Sequence, residues 1–139
     1  HVPMIYMLDT NICIDIIRRR SPQLLNRLVA CQFGDVGISS ITLAELAHGA
    51  EKSSLREQNL IALQQFILPL EVACFDPSAA LAYGKIRTVL ESNGNLIGSM
   101  DMLVAAHAVA LKNILVTNNE KKFRRVDGLT CENWIKTAG

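Results

Sequence analysis

The sequence predicts an α/β fold: a three-layer sandwich with a central, mostly parallel sheet flanked by helices. Three observations predict it. Short β-prone runs alternate along the chain with segments of helical period. Two of those helices open on polar start signals directly after a strand-like run, at Asp9-Thr10-Asn11 and at Ser39-Ser40-Ile41-Thr42. No linker, internal repeat or low-complexity stretch divides the 139 residues, so residues 4–139 read as one domain. His1-Val2-Pro3, ahead of Met4, reads as an expression remnant.

The elements follow in order. Met4 to Leu8 is a short apolar run, after which Ile12, Cys13, Ile16 and Ile17 recur at helical spacing: strand, then helix. Val36 to Ser39 repeats the arrangement, and its helix carries Leu43, Leu46, Ala47 and Ala50 on one face. Residues 55–68 form a helix on Leu60, Leu63, Phe66 and Ile67, closed by Pro69 and followed by the strand-like Glu71 to Phe75. Asp76 caps the next helix, with Pro77 in its first turn, and Ser92-Asn93-Gly94-Asn95 breaks it. Ser99 to Lys112 is apolar nearly all round, which predicts a buried helix. Asn113 to Thr117 is a β-prone run ending in Asn118-Asn119, and a last short strand lies near Leu129 to Trp134.

Composition excludes several classes. Half the residues are hydrophobic and 19% are charged, which rules out disorder. A chain of this size builds a core without metal or disulfide staples, so any metal would serve chemistry. The longest apolar runs, such as Leu103 to Leu111, fall short of the roughly 18–20 residues that span a bilayer. With no signal peptide either, the expected location is the cytoplasm. Cys13, Cys31, Cys74 and Cys131 contain no C-x-x-C pair and read as buried, reduced thiols. The net charge is only +1, but Arg18-Arg19-Arg20, Lys121-Lys122 and Arg124-Arg125 are bunched, as solvated segments or as phosphate-binding patches.

In open α/β sheets the site lies beyond the carboxyl ends of the strands. That rule selects Asp9 to Asn11, Ser39 to Glu45, Asp76 and Thr117 to Asn119, with Asp101 joining if the buried helix starts at the same edge. The set is rich in oxygen and lacks a Cys-His pair, a glycine-rich phosphate loop or an H-E-x-x-H motif. Carboxylate and amide oxygens suit Mg²⁺ or Mn²⁺, and such a cation serves phosphodiester hydrolysis. Each residue also has a plain structural reading. Asp9 and Asp76 are natural helix caps, Thr42-x-x-Glu45 fits a capping box, and Asp101 sits where a helix dipole favours a carboxylate. Asp15 reads as solvent-facing beside Arg18 and Arg19. His107, Phe123 and Trp134 read as packing residues, and His48 has no matching partner for a Glu-x-x-His metal site.

With these residues in view, the sequence resembles the PIN-domain nucleases, specifically the VapC toxins of bacterial type II toxin–antitoxin pairs. The resemblance runs from Met4 to Trp134. It rests on Met7-Leu8-Asp9-Thr10-Asn11, on Ile38 to Leu46 with Glu45 inside it, on Ile97 to Ala108 around Asp101, and on Leu115-Val116-Thr117-Asn118-Asn119 followed by Phe123. It implies a PIN fold with Asp9, Glu45 and Asp101 as acidic, metal-binding catalytic residues. Thr117 and Asn119 stand where the family has a Thr and a further Asp, so Asn119 is a departure that leaves one possible ligand uncharged. Asn11, in the first block, is expected to orient Asp9 or a water. The resemblance further implies an Mg²⁺-dependent endoribonuclease, with Mn²⁺ able to substitute. It would inhibit translation by cutting structured RNA, with the initiator tRNA anticodon loop favoured by Ile97-Gly98 and Asn118-Asn119. Lys121, Lys122, Arg124 and Arg125 would hold the RNA backbone. A homodimer and a cognate VapB-type antitoxin are the implied partners. Two rivals stand beside this: an RNA-binding PIN module that does not cut, and a phospho-accepting receiver-like domain using Asp76.

Overall fold

In the computed structural model, which describes residues 4–32 and 34–135, the chain runs β1 (Tyr6–Leu8), α1 (Thr10–Ile17), α2 (Pro22–Ala30), β2 (Val36–Ser39), α3 (Ser40–Glu51), α4 (Arg56–Ile67), β3 (Glu71–Ala73), α5 (Pro77–Ser92), α6 (Ser99–Leu111), β4 (Ile114–Val116), α7 (Glu120–Phe123) and β5 (Thr130–Glu132). The strands form one sheet in the order β3-β2-β1-β4-β5. Every pairing is parallel, so the expected mostly parallel sheet is wholly parallel. The residues read as an expression remnant, 1–3, lie outside the described part.

Strand β1 occupies the centre, with Tyr6 opposite both Val36 and Ile114. Successive side chains on a strand point to opposite faces, and the sheet uses both. Met7 and Leu115 enter a core shared with Leu90, Met102, Ala105 and Phe123, under α5, α6 and α7. Leu8, Ile38 and Val116 enter the other core, with Ile12, Leu24, Leu46 and Leu63 from α1 to α4. Two apolar layers with a sheet between them make the expected sandwich, and they explain why the strands carry so few polar residues.

Helix α6 is buried as its composition predicts, with Met102, Val104, Ala105, Ala106, His107 and Ala108 all inaccessible. Its alanines allow it to lie close against α5 and the sheet. His107 is the packing residue expected: its Nδ1 lies 2.8 Å from Ser39 Oγ, its ring meets Phe75 edge-on, and burial pushes its imidazole below the usual histidine range. That contact fixes α6 to the start of α3, where Ser39 also caps the helix by accepting from the Ile41 N–H. Phe123 and Trp134 are buried packing residues as well.

Several sequence expectations change. Residues 21–35 carry no clear periodic signal, yet Ser21 caps α2 through the Leu24 N–H and Pro22 opens it. This is the ordinary Ser-Pro start signal of a short helix. The thiols are all free, but only Cys13 is buried; Cys31 and Cys131 are half-buried and Cys74 is exposed. Asp15 does not face solvent beside Arg18 and Arg19. It is mostly covered and pairs at 3.3 Å with Arg20, because the chain turns back past the end of α1.

Gly37 shows how tightly β2 is held. A Cβ there would collide with the Glu71 carbonyl oxygen of β3, so only glycine permits this strand spacing. Gly37→Ala is expected to destabilise the protein by about 1–3 kcal/mol, seen as a lower urea midpoint at an unchanged slope. A midpoint equal to wild type would show that the sheet opens at no cost.

Candidate active site

In the strand order the chain moves from β1 outward through β2 to β3, then crosses to β4 on the other side of β1. The reversal leaves a crevice at the carboxyl ends of β1 and β4, the place where parallel sheets bind ligands. Asp9 leaves β1 there, and Thr117 leaves β4. The main chains are joined at that point, since the Asp9 N–H donates to the Val116 carbonyl at 3.0 Å.

Asp9 is both things the sequence allowed. It caps α1, its Oδ1 accepting from the Ile12 N–H at 2.8 Å, and it is also the most buried carboxylate of the site, at 5% exposure. Burial raises its pKa to about 6. Hydrogen bonds from Thr117 and Ile12 and the charge of Lys122 pull it down, whereas the negative charge of Asp101 pushes it further up. Thr117 is itself fully buried, and its hydroxyl oxygen accepts from the Asn119 N–H at 3.0 Å.

Asp101 arrives from the first turn of α6, so that helix does start at the same edge. Its Oδ2 receives a hydrogen bond from Lys122 Nζ at 2.9 Å. Gly98 leaves room for this carboxylate: a Cβ at position 98 would stand 3.1 Å from Asp101 Oδ2. Glu45 comes from α3. The capping box with Thr42 is not formed, because the helix begins earlier, at Ser40, with Ser39 as its cap. Glu45 instead accepts a 2.6 Å hydrogen bond from the Thr10 hydroxyl, which also lies 3.4 Å from Thr42 Oγ1.

The remaining expected residues sit farther out. Asn119 is exposed, and its Oδ1 accepts from the Lys122 N–H at 3.3 Å, capping α7. Asn11 is exposed in the first turn of α1, and among the described residues its side chain makes no hydrogen bond to Asp9. Lys121, Arg124 and Arg125 are exposed on and after α7, whereas Lys122 turns inward. Glu120 opens α7 and faces Arg124 at 4.0 Å. Asp76 is occupied in capping α5 through the Ala79 N–H. Two participants are not evident from the sequence. Thr10 holds Glu45, a role signalled only by its place beside Asp9. Lys122, expected only among the RNA-backbone contacts, pairs with Asp101, for which the sequence carries no signal.

A hard divalent cation fits the chemistry of this donor set. Asp9 and Asp101 supply carboxylate oxygens, the negative charge of Asp101 reaches Asp9, and the Lys122 ammonium is already drawn to Asp101. Among the described residues, no three acidic, histidine or cysteine side chains converge on one point as they stand. Asp9 and Asp101 interact electrostatically, and Glu45 is held separately on Thr10.

The family model of the PIN domain matches residues 6–129. The chain is 45% identical over 134 residues to Ribonuclease VapC2 of Rickettsia felis, covering 96% of this chain and 100% of the relative. It is 42% identical over 129 residues to the tRNA(fMet)-specific endonuclease VapC of Shigella flexneri, covering 93% and 97% of the two. Among solved structures it superimposes with a TM-score of 0.89 on a chain in the crystal structure of VapBC2 from Rickettsia felis bound to a promoter DNA fragment, at 44% identity, covering 94% of this chain and 99% of that one.

The raised pKa of Asp9 has a consequence for stability without metal. A carboxyl group whose folded pKa exceeds its unfolded value stabilises the fold below the unfolded pKa, near 4, and loses that contribution as pH rises through about 6. Asp9→Asn keeps a capping side chain and carries no charge. In EDTA at pH 7.5 it is expected to melt higher than wild type, by up to about 3 kcal/mol of stability, with the difference vanishing toward pH 4. A variant less stable than wild type at pH 7.5 would contradict the burial account.

Proposed function

The chain belongs to the PIN-domain family, among ribonucleases of the VapC type, and we propose that it is a metal-dependent endoribonuclease toxin. In this reading it stops translation by hydrolysing one phosphodiester in structured RNA, the initiator tRNA anticodon loop before others, which puts its action in the cytoplasm. The observation that carries the reading is the pair of carboxylates Asp9 and Asp101 at the sheet's switch point, near enough to interact electrostatically, the first buried and the second paired with the Lys122 ammonium. The tRNA preference is supported by the activity for which the Shigella flexneri relative is named.

Mg²⁺, with Mn²⁺ able to substitute, would polarise the phosphate and activate water when bound. Asp9 and Asp101 are its direct holders, and Glu45 is the third acid. Thr117 orients Asp9, and Thr10 keeps Glu45 turned toward the end of β1. Asn119 is a fourth, uncharged contributor at the rim, and Asn11 stands at the same rim within reach of solvent. Lys121, Arg124 and Arg125, on and just after α7, add exposed positive charge suited to an RNA backbone, with Arg124 facing Glu120 and Arg125 donating to the Leu96 carbonyl. Lys122 belongs to the same basic segment but points into the site.

The Rickettsia felis structure, a VapBC2 complex, supports a cognate VapB-type antitoxin as partner. Exposed Leu81 and Val89 on α5, bordering a groove of about 500 Å³ against Val109 and Val126, support a homodimer.

Sequencing the 5′ ends of cellular RNA after induction tests the reaction and the substrate together. New 5′-phosphate ends are expected in the initiator tRNA anticodon loop, and Asp9→Asn or Asp101→Asn should lower cleavage at saturating Mg²⁺ by at least about a hundredfold. Either variant cutting at wild-type rates would remove that residue from the site. Replacing Lys121, Arg124 and Arg125 together by Gln should flatten the salt dependence of RNA binding by about 0.7–0.9 in slope for each phosphate that is no longer neutralised. An unchanged slope would return the three to ordinary solvation.

A further inference from the structure

Lys122 differs from its basic neighbours in ways that belong together. Its Nζ lies 2.9 Å from Asp101 Oδ2, and its side chain is less exposed than that of Asp101, at 24% against 38%. The ammonium also sits 5.0 Å from the centre of the Phe123 ring, whose own burial fixes it. The segment that carries Lys122 is tied to the site at both ends. The Thr117 hydroxyl bonds Asp9 and accepts from the Asn119 N–H; the Asn119 side chain accepts from the Lys122 N–H; and Lys122 Nζ reaches Asp101. A freely solvated lysine would have no such chain of contacts behind it.

We propose that Lys122 is a built-in counter-ion which competes with the divalent cation for Asp101, so that cation entry displaces its ammonium from Oδ2. The inference rests on the reading that Asp9 and Asp101 hold the cation. It makes Lys122 a positioning residue: it holds Asp101 toward Asp9 while no cation is present, and it sets how tightly the site binds one. A carboxylate oxygen that accepts a lysine hydrogen bond has to release it before presenting the same lone pair to a metal.

The test is a titration of the purified chain with Mn²⁺, reading free Mn²⁺ by its electron paramagnetic resonance signal. Lys122→Met keeps the aliphatic stem and removes the charge, and it is expected to bind Mn²⁺ about tenfold more tightly than wild type. Lys122→Arg, which preserves the charge, should stay within about twofold. In an Asp101→Asn background the gain from Lys122→Met should shrink to the weaker, through-space effect of the ammonium on Asp9, because the contested carboxylate charge is gone. Thermal melts add an independent reading: Lys122→Met should melt lower than wild type in EDTA and show the larger rise on adding Mn²⁺. If Lys122→Met does not fold, Lys122→Gln enters the same titration. Equal or weaker Mn²⁺ binding by the charge-free variant, beside a wild type that binds, overturns this inference alone. No Mn²⁺ binding by either protein overturns the cation reading and this inference with it.

Discussion

The structure depends on a carboxylate that is taken out of water at the end of the central strand. Asp9 follows the middle strand of the five, which is paired on both sides and packed on both faces, so it has little access to solvent. A bare ionised carboxylate in that position would be costly. The surrounding groups are arranged around that cost: the Ile12 N–H, the Thr117 side chain and the Lys122 charge all favour the ionised form, while burial and Asp101 oppose it. The balance still leaves the group easier to protonate than an ordinary aspartate. An acid kept in this state is poorly placed as a structural element alone and well placed to receive a cation.

The same constraint explains why chain segments distant in sequence are brought to one edge. β1 delivers Asp9, β4 delivers Thr117 and the start of α6 delivers Asp101. The His107 contact with Ser39 ties α6 to the start of α3, and α3 carries Glu45. Packing on both faces of the sheet therefore positions the acids, while the hydrogen bonds at the rim only orient them.

Much of this is legible in the residues, and the limits have physical causes. The α/β alternation, the buried α6, the Ser39 and Asp76 caps and the strand-end placement of Asp9 and Thr117 follow from periodicity and from short polar start signals, which act locally. The short α2 escapes because its Ser21-Pro22 signal leads into a segment with only one fully buried residue, Leu24, so its apolar period is weak. The Thr42 and Glu45 capping box has the right spacing but the wrong register, since the helix starts at Ser40. Spacing along one element cannot show that Glu45 meets Thr10 or that Lys122 meets Asp101. Both are contacts between elements, and they exist only once the sheet order is fixed.

The uncharged side chain of Asn119 bears on the charge balance of the mouth. Asn and Asp cap a helix equally well, so holding α7 through the Lys122 N–H does not demand the amide. What the amide changes is the charge. With Asn at position 119, the charged groups near the switch point are Asp9, Asp101, Glu45 on Thr10 and a single Lys122. One ammonium then offsets part of the carboxylate charge when no cation is bound. A further aspartate at the rim would add a negative charge next to the same lysine and draw it away from Asp101. The neutral side chain therefore belongs with the inward turn of Lys122: the two together allow a site made of carboxylates to remain compact before any cation arrives.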